Sequence, residues 1–121
     1  LGRELDRIVV EVLVRSVFAC GGNTEIYRIR ASGGNPERLT DSPTIDVGGS
    51  FSPDGRQIVF ESDRSGSQQC YVMNADGTNP VNLTRHVAED WTPAWSPDGR
   101  YIAFSSFRDS NWELYVMRSD G

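Results

Sequence analysis

An internal repeat of 44 residues is the feature that most constrains how this 121-residue chain folds. The segment 52–56, which reads Ser-Pro-Asp-Gly-Arg, recurs unchanged at 96–100. Residues 50–77 and 94–121 share 14 identities over 28 aligned positions. A fainter earlier copy keeps the same offset, because Tyr27 aligns with Tyr71. Self-similarity at a fixed period indicates one structural unit that is used several times along the chain.

The local patterns inside each unit predict short β-strands separated by tight turns. β-Branched and aromatic residues are dense where strands are expected. In the Ser-Pro-Asp-Gly turn, proline presets φ and glycine relieves the backbone. The expected strands of the two clearer copies are an inner strand led by Phe51 or Trp95, then 57–60 or 101–104, then 70–73 or 114–117, and an outer strand that ends at Leu83-Thr84 in the middle copy and at Leu39-Thr40 in the first.

Four short antiparallel strands in every unit, with no helical unit between them, are typical of a β-propeller blade. We therefore predict an all-β fold of about three four-stranded blades. Residues 1–43 form an irregular first blade, 44–87 a second, and 88–121 a third that lacks its outer strand. The pattern over 3–15 fits an amphipathic helix or a strand, and a strand is favoured.

The repeat resembles that of the TolB-type β-propeller family. The resemblance rests on 95–104 (Trp-Ser-Pro-Asp-Gly-Arg-Tyr-Ile-Ala-Phe), on 113–117 and 119–121, and on Asn79-Pro80 with Leu83-Thr84, and it covers about residues 24–121. Family members include periplasmic TolB, which binds lipoprotein and Tol partners, and the propellers of tricorn-type and prolyl-oligopeptidase-type peptidases. The resemblance thus implies a propeller in the periplasm or outside the cell, and its bearing on function is analogy.

The number of blades is smaller than a closed ring requires. Closed propellers have about four to eight blades, whereas this sequence supplies about three. Three blades alone would expose apolar faces and unpaired strand edges. We expect either a fragment of a longer propeller or, by slight preference, a homodimer that completes a ring of about six blades. In the dimer, the strand over 8–14 would supply the missing outer strand of blade three, in its own chain or in its partner.

The composition and motifs argue against several functions. The net charge is −5 and the 12 basic residues are scattered arginines, which disfavours nucleic-acid binding. No apolar run approaches the roughly 20 residues that span a membrane. His86 is the one histidine, no G-x-S-x-G motif occurs, and no metal-ligand spacing is present. We predict no catalytic residue, no metal site and no cofactor.

The candidate binding residues lie in the loops before the inner strands. Asp46 and Asp90 recur at the repeat spacing, and Arg85, His86 and Trp91 surround the second of them. These loops are expected to open on one face near the channel, where the carboxylates would form an acidic mouth. Trp91 would add a rigid aromatic contact. The alternative is that each aspartate bonds only to its own turn.

These residues predict a non-catalytic scaffold that binds a protein or peptide partner at the channel-face loops. The alternatives are the propeller domain of a hydrolase and a propeller that binds a small ligand or sugar. Two other residues receive structural interpretations. Trp95 occupies the position of Phe51 and is expected to pack between blades, and Cys70 is expected to be a small buried apolar residue.

Overall fold

The computed structural model describes residues 13–18, 24–30, 32–41 and 43–121. Within these ranges the chain forms ten β-strands in three antiparallel sheets, and none of these residues is helical. Accordingly, no described helix is long and apolar enough to cross a membrane. The predicted all-β fold is confirmed.

Each sheet is an antiparallel meander in which strands that follow one another in sequence pair side by side. The first sheet contains β1 (Leu13–Phe18), β2 (Thr24–Ile29) and β3 (Glu37–Arg38). The second contains β4 (Asp46–Phe51), β5 (Gln57–Ser62), β6 (Gln69–Asn74) and β7 (Val81–Asn82). The third contains β8 (Asp90–Trp95), β9 (Tyr101–Ser106) and β10 (Glu113–Arg118). These sheets are the blades, numbered here one to three.

The Ser-Pro-Asp-Gly segments are the turns between the inner strand and the next. In blade two, Gly55 adopts a φ of 74° and its N–H donates to Ser52 O at 2.8 Å. Asp54 Oδ1 accepts from Ser52 Oγ at 2.6 Å and from Arg56 N at 3.0 Å. These hydrogen bonds lower the pKa of the Asp54 carboxyl, because they favour its charged form. The aspartate is therefore a turn residue.

The inner strands are longer than the sequence predicts. They begin at Asp46 and Asp90, whereas the prediction starts them near Phe51 and Trp95. The pairing of β4 with β5 shifts register at a β-bulge that contains Gly48, whose φ is 73°. A bulge adds an unpaired residue and breaks the alternation that marks a strand in sequence. Gly48 and Gly49 therefore resemble a strand boundary in the sequence, although they lie inside β4.

The blades pack face to face, and β5 contributes to both interfaces. Ile58 and Phe60 pack against blade one, whereas Val59 points the other way and packs against blade three, as alternation along a strand requires. Trp95 packs in the second interface and its Nε1 donates to Ser50 O at 3.1 Å, which confirms its predicted role. The residues of the first interface are Ile26, Leu39, Phe51, Ile58, Phe60, Tyr71 and Met73. Those of the second are Val59, Val72, Leu83, Trp95, Ile102 and Met117.

The outward face of blade three is open. Cys70 and Val72 of blade two are 0% and 7% exposed, and Cys70 is the small buried residue that the sequence predicts. The aligned Leu114 and Val116 of blade three are 74% and 65% exposed. The segment 8–14, predicted to pair with this blade, lies mostly outside the described residues. Its last two residues begin β1, which pairs with β2 in blade one.

Gly77 of blade two lies against the backbone of Leu39 in blade one. Its φ is 90°, and a Cβ atom there would lie 2.5 Å from Leu39 O. Gly55 also has a positive φ, but a Cβ there would meet nothing within 4 Å. A substitution at Gly55 therefore tests backbone strain alone, whereas one at Gly77 adds steric overlap.

We expect Gly77→Ala to destabilise the chain more than Gly55→Ala. The left-handed conformation costs either alanine about 1–2 kcal/mol, and overlap adds about 1–3 kcal/mol at position 77 alone. Urea unfolding of both variants measures the difference in free energy of unfolding. Equal losses would show that the two blades do not approach as described.

Candidate functional site

A buried acid–arginine pair joins the start of β8 to the β9–β10 loop. Asp90 is fully buried, and Arg108 Nη2 lies 3.2 and 3.4 Å from its two carboxylate oxygens. Arg108 Nε donates to Ser106 Oγ at 2.8 Å. The guanidinium carbon lies 5.3 Å from the ring centre of Phe104 and 4.8 Å from that of Tyr115. The arginine is held by a carboxylate, a hydroxyl and two aromatic rings together.

Blade two contains the same arrangement. Arg64 Nη2 donates to Asp46 Oδ2 at 2.9 Å, and Nε donates to Ser62 Oγ at 2.9 Å. The guanidinium carbon lies 5.5 and 5.0 Å from the ring centres of Phe60 and Tyr71. Burial raises the pKa of Asp46, while Ser62 and Arg64 oppose that shift by favouring the charged carboxylate.

This geometry corrects the prediction of an acidic mouth. Asp46 and Asp90 are fully buried, so neither carboxylate is displayed to a ligand. A buried carboxylate requires a partner cation, because desolvation alone would be too costly. Arg64 and Arg108 are that partner, and the aspartates fasten strand starts to loops instead of only capping their own turns. The missed signal is that each arginine recurs at the same repeat spacing as its aspartate.

Trp91 belongs to a cluster of exposed aromatic side chains. As the residue after Asp90 on β8 it points to the opposite side, and it is 44% exposed. Trp112 and Phe107 of the β9–β10 loop are 46% and 43% exposed. The ring centres of Trp91 and Trp112 are 4.8 Å apart, and those of Phe107 and Trp112 are 5.4 Å apart. We call Trp91, Phe107 and Trp112 the aromatic cluster.

The aromatic cluster is held by the loops that carry it. Trp91 Nε1 donates to Glu89 Oε2 at 3.0 Å, and Phe107 N donates to Glu89 O at 3.1 Å. Ser110, at a φ of 66°, donates its N–H to Phe107 O at 3.2 Å. The aligned positions of blade two hold Val47, Asp63 and Gln68. Between these two blades, the cluster is therefore a feature of blade three alone, and the sequence did not group Phe107 or Trp112 with Trp91.

Thr92 fixes Trp91 from the other side. Thr92 has a φ of 54°, at the position that Gly48 occupies in blade two. A β-branched residue in the left-handed region costs on the order of 1–3 kcal/mol and persists only when its surroundings enforce it. Its N–H donates to Glu61 Oε1 of blade two, and its Oγ1 donates to Trp91 O at 2.8 Å. Burial raises the pKa of Glu61, against the opposing effect of the Thr92 N–H.

Arg85 and His86 are exposed in the β7–β8 loop, and their hydrogen bonds go to Asn82, Gln69 and Ala88. Arg85 donates through N and Nε to Asn82, at 3.0 and 3.2 Å. His86 N donates to Oε1 of the buried Gln69 at 2.7 Å, and Nδ1 accepts from Ala88 N at 3.0 Å. Trp91 therefore contacts Glu89 and Trp112. Arg85 and His86 lie a few residues before Trp91 in sequence, and their hydrogen bonds go elsewhere.

Comparison with known proteins identifies the family. Residues 12–120 match the family described as TolB beta propeller domain. The chain belongs to this family. One curated relative, the Tol-Pal system protein TolB of Bordetella pertussis, is 53% identical over 47 residues, which are 38% of this chain. The match covers 11% of that relative, so the chain spans a small part of its length.

Solved structures agree with this TolB-family assignment. TolB from Acinetobacter baumannii superposes with a TM-score of 0.80 at 27% identity, over 91% of this chain and 28% of that one. The tricorn protease gives a TM-score of 0.65 at 18% identity, over 93% of this chain and 13% of that one. The second likeness concerns the fold alone. The predicted TolB-type propeller is confirmed.

We expect Asp90→Ala to destabilise this TolB-family chain by about 3 kcal/mol or more, because it leaves a partly buried arginine without its carboxylate. Asp120→Ala, at an exposed turn, is the matched control and should change stability by about 0.5 kcal/mol or less. Urea unfolding measures both variants. If Asp90→Ala costs no more than its control, the buried pair does not hold the loop.

Proposed function

We propose that the chain is a non-catalytic interaction module whose protein or peptide partner binds the aromatic cluster of blade three. The supporting observation is that three large aromatic side chains are exposed at one end of blade three, where Trp112 contacts both Trp91 and Phe107. Contiguous exposed apolar surface marks interaction sites. Tryptophan is enriched among the residues that dominate binding energy.

The cluster is also suited to binding because its loops are already fixed. Arg108 ties the β9–β10 loop to Asp90, and Gln69 fastens the β7–β8 loop through His86 N and Ala88 O. A surface that is ordered before the partner arrives loses less conformational entropy on binding. In this proposal Trp91 contacts the partner, and the buried Asp90 holds the β9–β10 loop in place through Arg108.

The other predicted binding residues take different roles. Arg85 and His86 lie in the exposed β7–β8 loop, where they form a polar rim beside the cluster. Rim residues exclude water from a contact and contribute little energy of their own. Asp46 holds the corresponding loop of blade two through Arg64, away from the partner.

The name of a relative supports a proposal for the partner class and the location. Because a curated relative is named as a Tol-Pal system protein, we extend that kind of assembly to this chain. The partner is then a protein of the cell envelope, of the type of Pal, and the chain works in the periplasm.

We expect Trp91→Ala to weaken binding to the soluble domain of Bordetella pertussis Pal by about tenfold or more, as the loss of a central aromatic contact does. Biolayer interferometry with the purified chain measures this affinity. Tyr101→Ala is the matched control, since Tyr101 is also 44% exposed but starts β9, at the opposite end of blade three. Unchanged affinity in Trp91→Ala, equal loss in both variants, or no binding by the wild-type chain would contradict the proposal.

We also propose that another blade covers the open face of blade three, and that a second copy supplies it when this chain is alone. Light scattering should then give twice 13.4 kDa for the wild-type chain. Leu114→Glu places a charge on the apolar face and should give the single mass. Val87→Glu, in the exposed β7–β8 loop, should remain a dimer. A wild-type chain of single mass would contradict the homodimer.

A further inference from the structure

The chain twice builds the same receptor for an arginine side chain. In blade three, Arg108 lies over two aromatic rings and pairs with a carboxylate. In blade two, Arg64 does the same. A guanidinium is suited to this environment because it is planar, stacks on aromatic faces and binds carboxylates through several N–H groups. Two rings, one carboxylate and a serine hydroxyl together hold each arginine in this fold.

The aromatic cluster presents two of these components on the surface, aromatic rings and a carboxylate. The ring centres of Trp91 and Trp112 are 4.8 Å apart, and Trp91 Nε1 holds Glu89 Oε2 at 3.0 Å beside them. Tryptophan is the strongest aromatic partner for a cation. A carboxylate has capacity for more than one donor, so Glu89 accepts the indole N–H and retains room for a guanidinium. Within the described ranges, the arginines that lie over aromatic rings are Arg64 and Arg108.

The charges around the cluster favour a cation. Glu89, Asp109 and Glu113 lie in the strand ends and loops that carry the aromatic residues, and Glu61 of blade two accepts the N–H of Thr92, the residue after Trp91. Arg108 is the nearest arginine in sequence, and its guanidinium is already paired with the buried Asp90. Against these four carboxylates stands the exposed Arg85 of the β7–β8 loop, so the net charge around the cluster is negative and favours a positively charged group over a neutral or anionic one.

We propose that the aromatic cluster receives an arginine side chain of the partner, with its guanidinium against Trp91 and Trp112 and paired with Glu89. This inference rests on the proposed function, because it specifies what the aromatic cluster recognises. It explains why the site combines exposed indoles with a carboxylate held beside them. A purely apolar contact would use the Glu89 carboxylate only to fix the Trp91 indole.

Nuclear magnetic resonance of the indole N–H groups tests this recognition directly. The probe is N-acetylarginine amide, and its control is N-acetylcitrulline amide, which has nearly the same shape without the charge. At constant ionic strength, arginine should shift the Trp91 and Trp112 signals saturably, with a dissociation constant in the millimolar range. Trp95 should not move, because its indole N–H is bonded between the blades to Ser50 O. Citrulline should produce at least several-fold smaller shifts.

Three variants locate the site and its charge. Trp112→Ala should abolish the arginine-dependent shift of Trp91. Glu89→Gln should weaken arginine binding several-fold, because it removes the charge that pairs with the guanidinium and keeps a side chain of nearly the same size. Glu37→Gln removes the same charge in blade one and should leave arginine binding unchanged.

The outcomes separate this inference from the proposed function. Equal shifts with arginine and citrulline, no shift of Trp91 or Trp112 with arginine, or full arginine binding by Glu89→Gln would overturn the inference. Loss of Pal binding in Trp91→Ala would still support the proposed function in those cases. Conversely, arginine binding in a chain whose Pal affinity ignores Trp91 would retain the arginine site and overturn the proposed function.

Discussion

A charged carboxylate inside a protein needs a partner cation or hydrogen bonds to replace its lost hydration, and the pairing of a buried aspartate with an arginine organises each of the two later blades. Asp90 starts the inner strand, and Arg108 lies in the loop between the next two strands. Their pairing brings two distant parts of one blade together at the same end. The buried pair thereby positions β8, which carries Trp91, and the β9–β10 loop, which carries Phe107 and Trp112. The exposed aromatic cluster therefore depends on a buried ion pair.

Blades two and three repeat the same buried contacts and differ in their exposed side chains. Blades two and three share the buried pair, the serine beside it and the stacked rings. They differ at the exposed positions above it, where blade three has aromatic residues. Thr92 shows the same division, because it occupies in a strained conformation a position that blade two fills with Gly48. The hydrogen bond from its N–H to Glu61 joins the specialised blade to its neighbour.

The fold could be predicted because it follows from local patterns that recur. Ser-Pro-Asp-Gly turns and β-branched runs are short-range signals, and their 44-residue spacing specifies blades. The site was only partly predictable, because it depends on contacts between loops. The sequence predicts Trp91 from its loop, whereas Phe107 and Trp112 join it through loop packing that no linear motif encodes. Asp46 and Asp90 recur at the repeat spacing, but their burial depends on arginines 18 residues further along.

The most direct test of recognition by blade three is hydrogen–deuterium exchange of the chain with and without the soluble domain of Bordetella pertussis Pal. Slower exchange is expected in the segments 85–91 and 107–112, because a bound partner would cover the aromatic cluster and its rim. The turns at 53–56 and 96–100, at the other end of the blades, should exchange at the same rate in both states. Protection confined to those turns, with none in the loops of the cluster, would contradict it.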